Sequence, residues 1–387
     1  MRNPSHTLLT AAAATAVLML TSPVTLAKDS ATAQQQAQQV ITELGLREAP
    51  QPIREHARYA PKKVVVSLPE GFAQRMPNLE QQMQAAAGNV ELVFDRSENF
   101  VVSAEVLRDA DALIGICSPA LIANSGERLL WMHNYLVGIE RCAGLPAAQT
   151  ADRVFTNNKR LSGPAIAEHS IAMLLSLARG LPAYQRNQFK NSWDRSPAAA
   201  VQFGELKGKT LLVVGLGGIG TEIAWRAHGL GMRVIATRNS SRNGPDYVEY
   251  VGLSDELLKL AGGADVIVNA LPLTDDTTGL FNKAFFNSAK PGAIFISVGR
   301  GASTVSADLE AALASGRLYG AGLDVTDPEP LPADSPLWQM DNVIITPHIS
   351  AAGAGSMRRT ALIATENLRR YVAGEALLNI VDIDAGY

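Results

Sequence analysis

Three polar residues in the C-terminal half of this 387-residue chain have side chains suited to acting on one carbonyl group. Arg300 follows the apolar run Ile294–Val298, within Ser297-Val298-Gly299-Arg300-Gly301. Glu329 lies a few residues beyond a second apolar run, on the Pro-rich stretch Asp327-Pro328-Glu329-Pro330. His348 follows a third, in Ile345-Thr346-Pro347-His348-Ile349-Ser350. A guanidinium can hold a carboxylate and polarise the ketone beside it. An imidazolium can deliver a proton to the oxygen as hydride reaches the carbon, and a carboxylate can keep that donor charged and oriented. Each residue alone has a plainer reading: a capping histidine, a solvated loop glutamate, a surface ion-pair arginine. Their shared placement just past successive strands, where open α/β sheets form their ligand crevice, favours the joint one.

A hydride needs a carrier, and the sequence offers a place for it. Gly215-Leu216-Gly217-Gly218-Ile219-Gly220 is a G-x-G-x-x-G. It follows the strand-like Thr210–Val214 and precedes the helix-like Thr221–Gly229. Gly215 permits the tight turn, Gly217 lets backbone approach a pyrophosphate, and Gly220 lets helix sit against strand. The next strand ends at Thr237-Arg238-Asn239, with Ser240, Ser241 and Arg242 after it. No Asp or Glu stands there to bind a ribose 2′-hydroxyl. Arg238 can pair with a 2′-phosphate, which predicts NADPH over NADH. The alternative is that Arg238 stacks on adenine and both cofactors bind.

These residues need a scaffold of strand ends. Short apolar runs at Lys63–Leu68, Val90–Phe94, Ala112–Cys117, Leu129–His133 and Arg153–Thr156 form one series, with helix-like stretches at 75–87 and 103–110. A second comprises Thr210–Gly215, Arg233–Thr237, Val266–Ala270, Ala293–Val298, Gly320–Val325 and Val343–Thr346. Such alternation predicts an α/β protein with two doubly wound parallel sheets, covered on both faces. Ile166–Arg179, apolar nearly all round, predicts a buried helix at a junction between domains. A last helix, about 355–373, is placed to fold back onto the first domain.

Composition narrows the classes. Apolar residues make up 47% of the chain and charged residues 18%, so it can bury large cores. A net charge of −3 argues against nucleic-acid binding. Two cysteines cannot build a four-cysteine zinc site, and no metal site is expected. Cys117 and Cys142 each follow a strand of the first series, and both a disulfide and two buried thiols fit that placement.

Residues 1–27 read as a secretory signal: Arg2, an apolar run from Leu8 to Leu20, Pro23, then Thr25-Leu26-Ala27. That run is too short for the ~20 residues of a bilayer crossing. A periplasmic or secreted location follows, with no stable membrane insertion once the leader is removed; a non-functional leader would leave the protein in the cytoplasm. Residues 28–60 are polar and Gln-rich, with a short helix expected to about Leu46 and no chemistry of their own.

Taken together, Gly215–Gly220, Val298-Gly299-Arg300-Gly301, Asp324 with Glu329-Pro330, and Thr346-Pro347-His348 resemble the D-isomer specific 2-hydroxyacid dehydrogenases. Leu271-Pro272-Leu273-Thr274 with Thr277, and Asp334-Ser335-Pro336-Leu337-Trp338, are similar to further family segments. The resemblance spans about 62–375. It implies Arg300 as substrate-binding arginine, His348 as acid/base and Glu329 as its partner. It implies Gly218 and Ile219 at the pyrophosphate turn, Pro272 and Thr277 in the cofactor loop, and Val298, Arg300 and Asp324 on the nicotinamide side. Val137 and Gly138, in Leu136-Val137-Gly138-Ile139-Glu140, resemble the loop whose N–H groups hold the substrate carboxylate.

The implied architecture is a Rossmann cofactor domain (163–351) inserted into a flavodoxin-like substrate domain (61–162 plus 352–387). A homodimer is also implied. Glu329 stands where the family's formate dehydrogenases carry Gln, so formate oxidation is disfavoured. Arg238 fits the glyoxylate and hydroxypyruvate reductases, which points to NADP with NAD as an alternative and a small 2-keto or 2-hydroxy acid as substrate. The rival readings are a dinucleotide-binding sensor on the same fold, and an exported scaffold without cofactor.

Overall fold

The computed structural model describes residues 23–139, 141–142, 145–150, 152–196, 203–239 and 241–383. The leader expected over 1–27 therefore lies outside the described residues as far as residue 22, as do Glu140 and Ser240.

Two wholly parallel sheets carry the chain. The first contains β1 (Lys63–Ser67), β2 (Glu91–Asp95), β3 (Ala112–Gly115), β4 (Trp131–Asn134) and β5 (Val154–Asn157), in the order β2-β1-β3-β4-β5. The second contains β6 (Thr210–Val214), β7 (Arg233–Thr237), β8 (Tyr250–Gly252), β9 (Val266–Asn269), β10 (Ala293–Ser297), β11 (Leu318–Leu323) and β12 (Val343–Ile345). Its order is β12-β11-β10-β9-β6-β7-β8. The first order is that of flavodoxin-like sheets and the second extends the dinucleotide-binding order by one strand. Strand β8 is an addition to the sequence reading. Three residues on a sheet edge are too few to show a periodicity.

Alternation along each strand splits the core between two faces. Leu211 and Val213 of β6 pack with Ile166, Met173 and Leu177 of the helix Gly163–Ala178 and with Ile223 and Ala227 of the helix Gly218–Gly229. Leu212 and Val214 face the opposite way, onto a cluster containing Phe281, Phe285, Phe286 and Phe295. Apolar side chains are thus needed at every strand position, which is why these strands are continuous runs.

The helix Ala354–Ala373 returns to the first sheet. Its Tyr371 stacks on Trp131 of β4, with ring centroids 4.9 Å apart. The first unit is accordingly built from chain on both sides of the second sheet. The N-terminal helix, Pro23–Leu44, belongs to it too: Val40, Ile41 and Leu46 are buried with Leu362, Ile363 and Leu378. Ala49 N donates to Leu377 O at 2.7 Å. The polar stretch 28–60 is therefore integral to the first unit's packing.

Candidate active site

The glycine turn lies at the point where the strand order of the second sheet reverses, between β6 and β9. Gly215 has φ 97°, a left-handed conformation that favours glycine. A Cβ on Gly220 would lie 2.2 Å from Gly215 O, so helix and turn meet only because no side chain intervenes. A Cβ on Gly217 would meet nothing within 4 Å. That open face, at the start of the 12-residue helix Gly218–Gly229, fits the diphosphate of a dinucleotide.

Arg238 stands beside this turn. Leu216 N donates to Thr237 O at 2.9 Å, and Arg238 Nε donates back to Leu216 O at 3.1 Å. Its Nη1 also donates to Asn243 O at 2.8 Å. Arg242 is not brought alongside it in the same role. Its Nη2 pairs with Glu256 Oε1 at 2.6 Å and its Nη1 donates to the Tyr250 hydroxyl at 2.9 Å. These partners lie on and beyond β8, the edge strand that the sequence did not reveal.

Asn269, at the end of β9, ties the neighbouring loops together. Its Nδ2 donates to Ser297 Oγ at 3.1 Å and to Ser303 Oγ at 2.8 Å, and its Oδ1 accepts from Leu271 N at 3.1 Å. Sequence reasoning did not single it out. The signal was present: a fully buried amide closing an otherwise apolar strand. Beyond it, Thr277 Oγ1 donates to Pro272 O at 2.8 Å and closes that loop on itself. Val298 is buried, and its N–H donates to Asn269 O at 3.1 Å.

The three chemical residues sit on adjoining strand ends. Arg300 follows β10, Asp324 and Glu329 follow β11, and His348 follows β12. His348 Nδ1 lies 2.9 Å from Glu329 Oε2. Glu329 Oε1 accepts from Thr326 N at 3.2 Å, and the Thr326 carbonyl lies against Gly301, next to Arg300. A continuous chain of contacts therefore runs from the Arg300 turn to the imidazole. Arg300 Nη1 donates to Gly299 O at 2.8 Å. His348 and Glu329 are exposed, so their pairing meets solvent.

Asp324 anchors the loop that carries His348. Its carboxylate accepts from Thr346 Oγ1 at 2.7 Å, Ile349 N at 2.9 Å and Ser350 N at 3.1 Å. Burial pushes this carboxyl up. The donors of Ser350, Thr346 and Ile349 outweigh burial and hold it below the usual carboxylate range. His169, from the helix Gly163–Ala178, adds Nε2 at 2.9 Å from Thr346 Oγ1.

On the first unit, Val137 O accepts from Asn157 Nδ2 at 2.6 Å and Gly138 O from Asn134 Nδ2 at 2.8 Å. Two buried asparagines at the ends of β4 and β5 therefore fix this loop. Cys142, at its far end, is disulfide-bonded to Cys117 after β3. Nearby, at the ends of β1, β2 and β3, a cavity of about 360 Å³ is lined by Phe72, Phe100 and Ile116 with Arg75 and Arg141.

Known proteins are similar to this chain over most of its length. The family model described as D-isomer specific 2-hydroxyacid dehydrogenase, NAD binding domain, matches residues 171–350. A glyoxylate reductase from Korarchaeum cryptofilum is 30% identical over 285 residues, covering 72% of this chain and 84% of that protein. Among solved structures, a D-isomer specific 2-hydroxyacid dehydrogenase family protein from Aeromonas salmonicida is 33% identical with a TM-score of 0.70. The match covers 84% of this chain and all of that one. An NADPH-dependent glyoxylate/hydroxypyruvate reductase from Sinorhizobium meliloti, in complex with NADP and sulfate, is 27% identical with a TM-score of 0.70. It is matched over its whole length by 84% of this chain.

Proposed function

The chain belongs to the D-isomer specific 2-hydroxyacid dehydrogenase family and is an NAD(P)-dependent oxidoreductase, and from that premise we propose that it reduces a small 2-keto acid, such as glyoxylate or hydroxypyruvate, with NADPH preferred. The observation that carries this reading is the His348–Glu329 pair at 2.9 Å on the strand end beside Asp324, one strand from Arg300.

When bound, the reduced nicotinamide supplies the hydride. Glu329 occupies Nδ1 of His348, which leaves Nε2 as the nitrogen that holds and delivers the proton to the carbonyl oxygen. Arg300 binds the substrate carboxylate and polarises the ketone. The Val137–Gly138 loop supplies the opposing contact from the first unit. Arg238, in a stretch after β7 (238–245) whose sequence holds no Asp or Glu, supports the choice of NADPH.

Two further parts of the reading rest on surface and covalent features. Trp193 and Phe189 are 98% and 77% exposed, which supports a homodimer formed over that segment. The Cys117–Cys142 bond supports function after export, since such bonds persist in oxidising compartments. Among the described residues, no helix is long and apolar enough to cross a membrane.

The test is NADPH oxidation with a panel of 2-keto acids, repeated with NADH. Turnover of at least one small keto acid is expected. His348→Ala should lower kcat by about a hundredfold or more. Arg300→Ala should lose most of kcat/KM. Dinucleotide binding without turnover across the panel, or near-wild-type turnover by either variant, overturns the proposal.

A further inference from the structure

Arg160, from the first unit, packs on the first turn of the helix Gly218–Gly229, and the charges of Arg47 and Arg238 act on it. Arg160 lies in the segment joining the two sheets. A Cβ placed on Gly218 would be 2.7 Å from Arg160 Cγ and 3.5 Å from its Cα, so this residue packs directly on the phosphate turn. Its Nη1 donates at 3.0 Å to the carbonyl of Leu44, the last residue of the N-terminal helix. Asn379 fastens the backbone of Arg47 and Lys159: its N–H donates to Arg47 O at 2.8 Å and its Nδ2 to Lys159 O at 2.9 Å. Arg238, on the other side, is held to the carbonyl of Leu216 within the turn.

The like charges that act on Arg160 outweigh the acid that opposes them. Glu222 is the acid that acts on Arg160, and it already pairs with Arg226 at 2.6 Å. Burial, then the neighbouring guanidinia of Arg47 and Arg238, pull the Arg160 guanidinium below its ordinary value. Burial, Arg160 and Arg47 do the same to Lys159. Like charges assembled by specific backbone contacts at a helix N-terminus create a strongly positive site. An anion there would relieve the repulsion.

We propose that Arg160 and Arg47 form a phosphate-binding wall opposite the Gly217–Gly218 turn, and that this wall takes the diphosphate charge of the bound dinucleotide while Arg238 takes its 2′ end. The proposal rests on the oxidoreductase reading above. It gives the N-terminal segment a part in cofactor binding. It also makes cofactor occupancy a link between the two units, because the turn and the wall belong to different ones.

The experiment is titration of the full chain with NADPH and with NADH, followed by cofactor fluorescence at several salt concentrations. Arg160→Met and Arg47→Met should each weaken both dinucleotides by about tenfold and flatten the salt dependence. Arg160→Lys should recover most of the loss. Arg238→Met should weaken NADPH far more than NADH. Binding of both dinucleotides within twofold of wild type in Arg160→Met and Arg47→Met overturns the proposal, as does a loss confined to NADPH. Should Arg160→Met fail to fold, Arg47→Met decides alone, because Arg47 is exposed. A wild-type chain that binds neither dinucleotide overturns the oxidoreductase reading itself, and the wall with it.

Discussion

Asp324, fully buried at the end of β11, accepts a hydrogen bond at 2.9 Å from the backbone N–H of Ile349, the residue that follows His348. His348 has φ 52°, a left-handed conformation that a non-glycine residue keeps only when its surroundings impose it. The Asp324 carbonyl accepts the His348 N–H at 2.8 Å, and its carboxylate accepts from Thr346, Ile349 and Ser350. One residue therefore fixes the loop on both sides of His348.

Asp324→Asn should reduce kcat by at least tenfold while leaving the His348 and Glu329 side chains in place. An amide cannot accept from all these donors, so stability should fall by roughly 1–3 kcal/mol. The wild-type carboxyl lies below the ordinary range when folded. Its contribution is thus present above the unfolded value of about 3.9 and is lost as pH falls through the folded one. Urea unfolding at pH 7 and pH 3 checks this: the gap between wild type and variant should narrow at the lower pH, which lies below the unfolded value. An equal gap at both would contradict the assignment.

A second pH effect arises in the interior of the first unit. Trp131 Nε1 donates to Thr156 Oγ1 at 2.9 Å, and Thr156 Oγ1 lies 2.9 Å from His133 Nδ1. The indole can only donate, and the hydroxyl keeps both its proton and a second lone pair for Nδ1, so the direction of that contact follows the imidazole tautomer. Burial pulls His133 down to about 4. The unfolded chain takes up a proton near pH 6.5 while the folded one does not, so stability falls as pH drops from 6.5 towards 4. The loss between pH 6.5 and 5 should be about 2 kcal/mol. His133→Gln should remove that slope; an unchanged slope would show that other groups produce it.

Strand ends, the glycine turn and the placement of Arg300, Glu329 and His348 just past strands were legible because each is written in contiguous residues: a β-branched run, then a polar residue. Arg160 and Arg47 were not. Nothing in Lys159-Arg160-Leu161 or Arg47-Glu48 marks them, and their meeting depends on Asn379 near the far end of the chain. Strand β8 and Glu256 escaped for a related reason, since three edge residues carry no period. The polarity of 28–60 concealed a buried stripe of Ala37, Val40 and Ile41, because helical spacing dilutes it among glutamines.

The exposed Trp193 and Phe189 lie at and beyond the end of the helix Leu181–Phe189. A side chain of that size with almost no cover is unusual on a monomer. Light scattering should give twice the chain mass. Trp193→Ser with Phe189→Ser should shift the mass towards one copy, with the second sheet still folded by circular dichroism. A wild-type chain of single mass at tens of micromolar would remove the dimer from the reading.

The disulfide gives the last expectation. Cys117 and Cys142 are 25 residues apart in sequence, and both are buried. Closing a loop of that length stabilises by about 3–4 kcal/mol in the chain-entropy account. The loop it closes ends with the segment carrying Val137 and Gly138, which Asn157 and Asn134 hold at the other end. Cys117→Ser with Cys142→Ser should therefore lower stability and, separately, raise KM for the keto acid, because one tether of the substrate loop is gone. The binding constant for NADPH should stay the same, since the glycine turn lies on the other sheet. If stability fell and KM did not move, the bond would serve the fold alone and the Val137–Gly138 loop would lose its place in substrate binding.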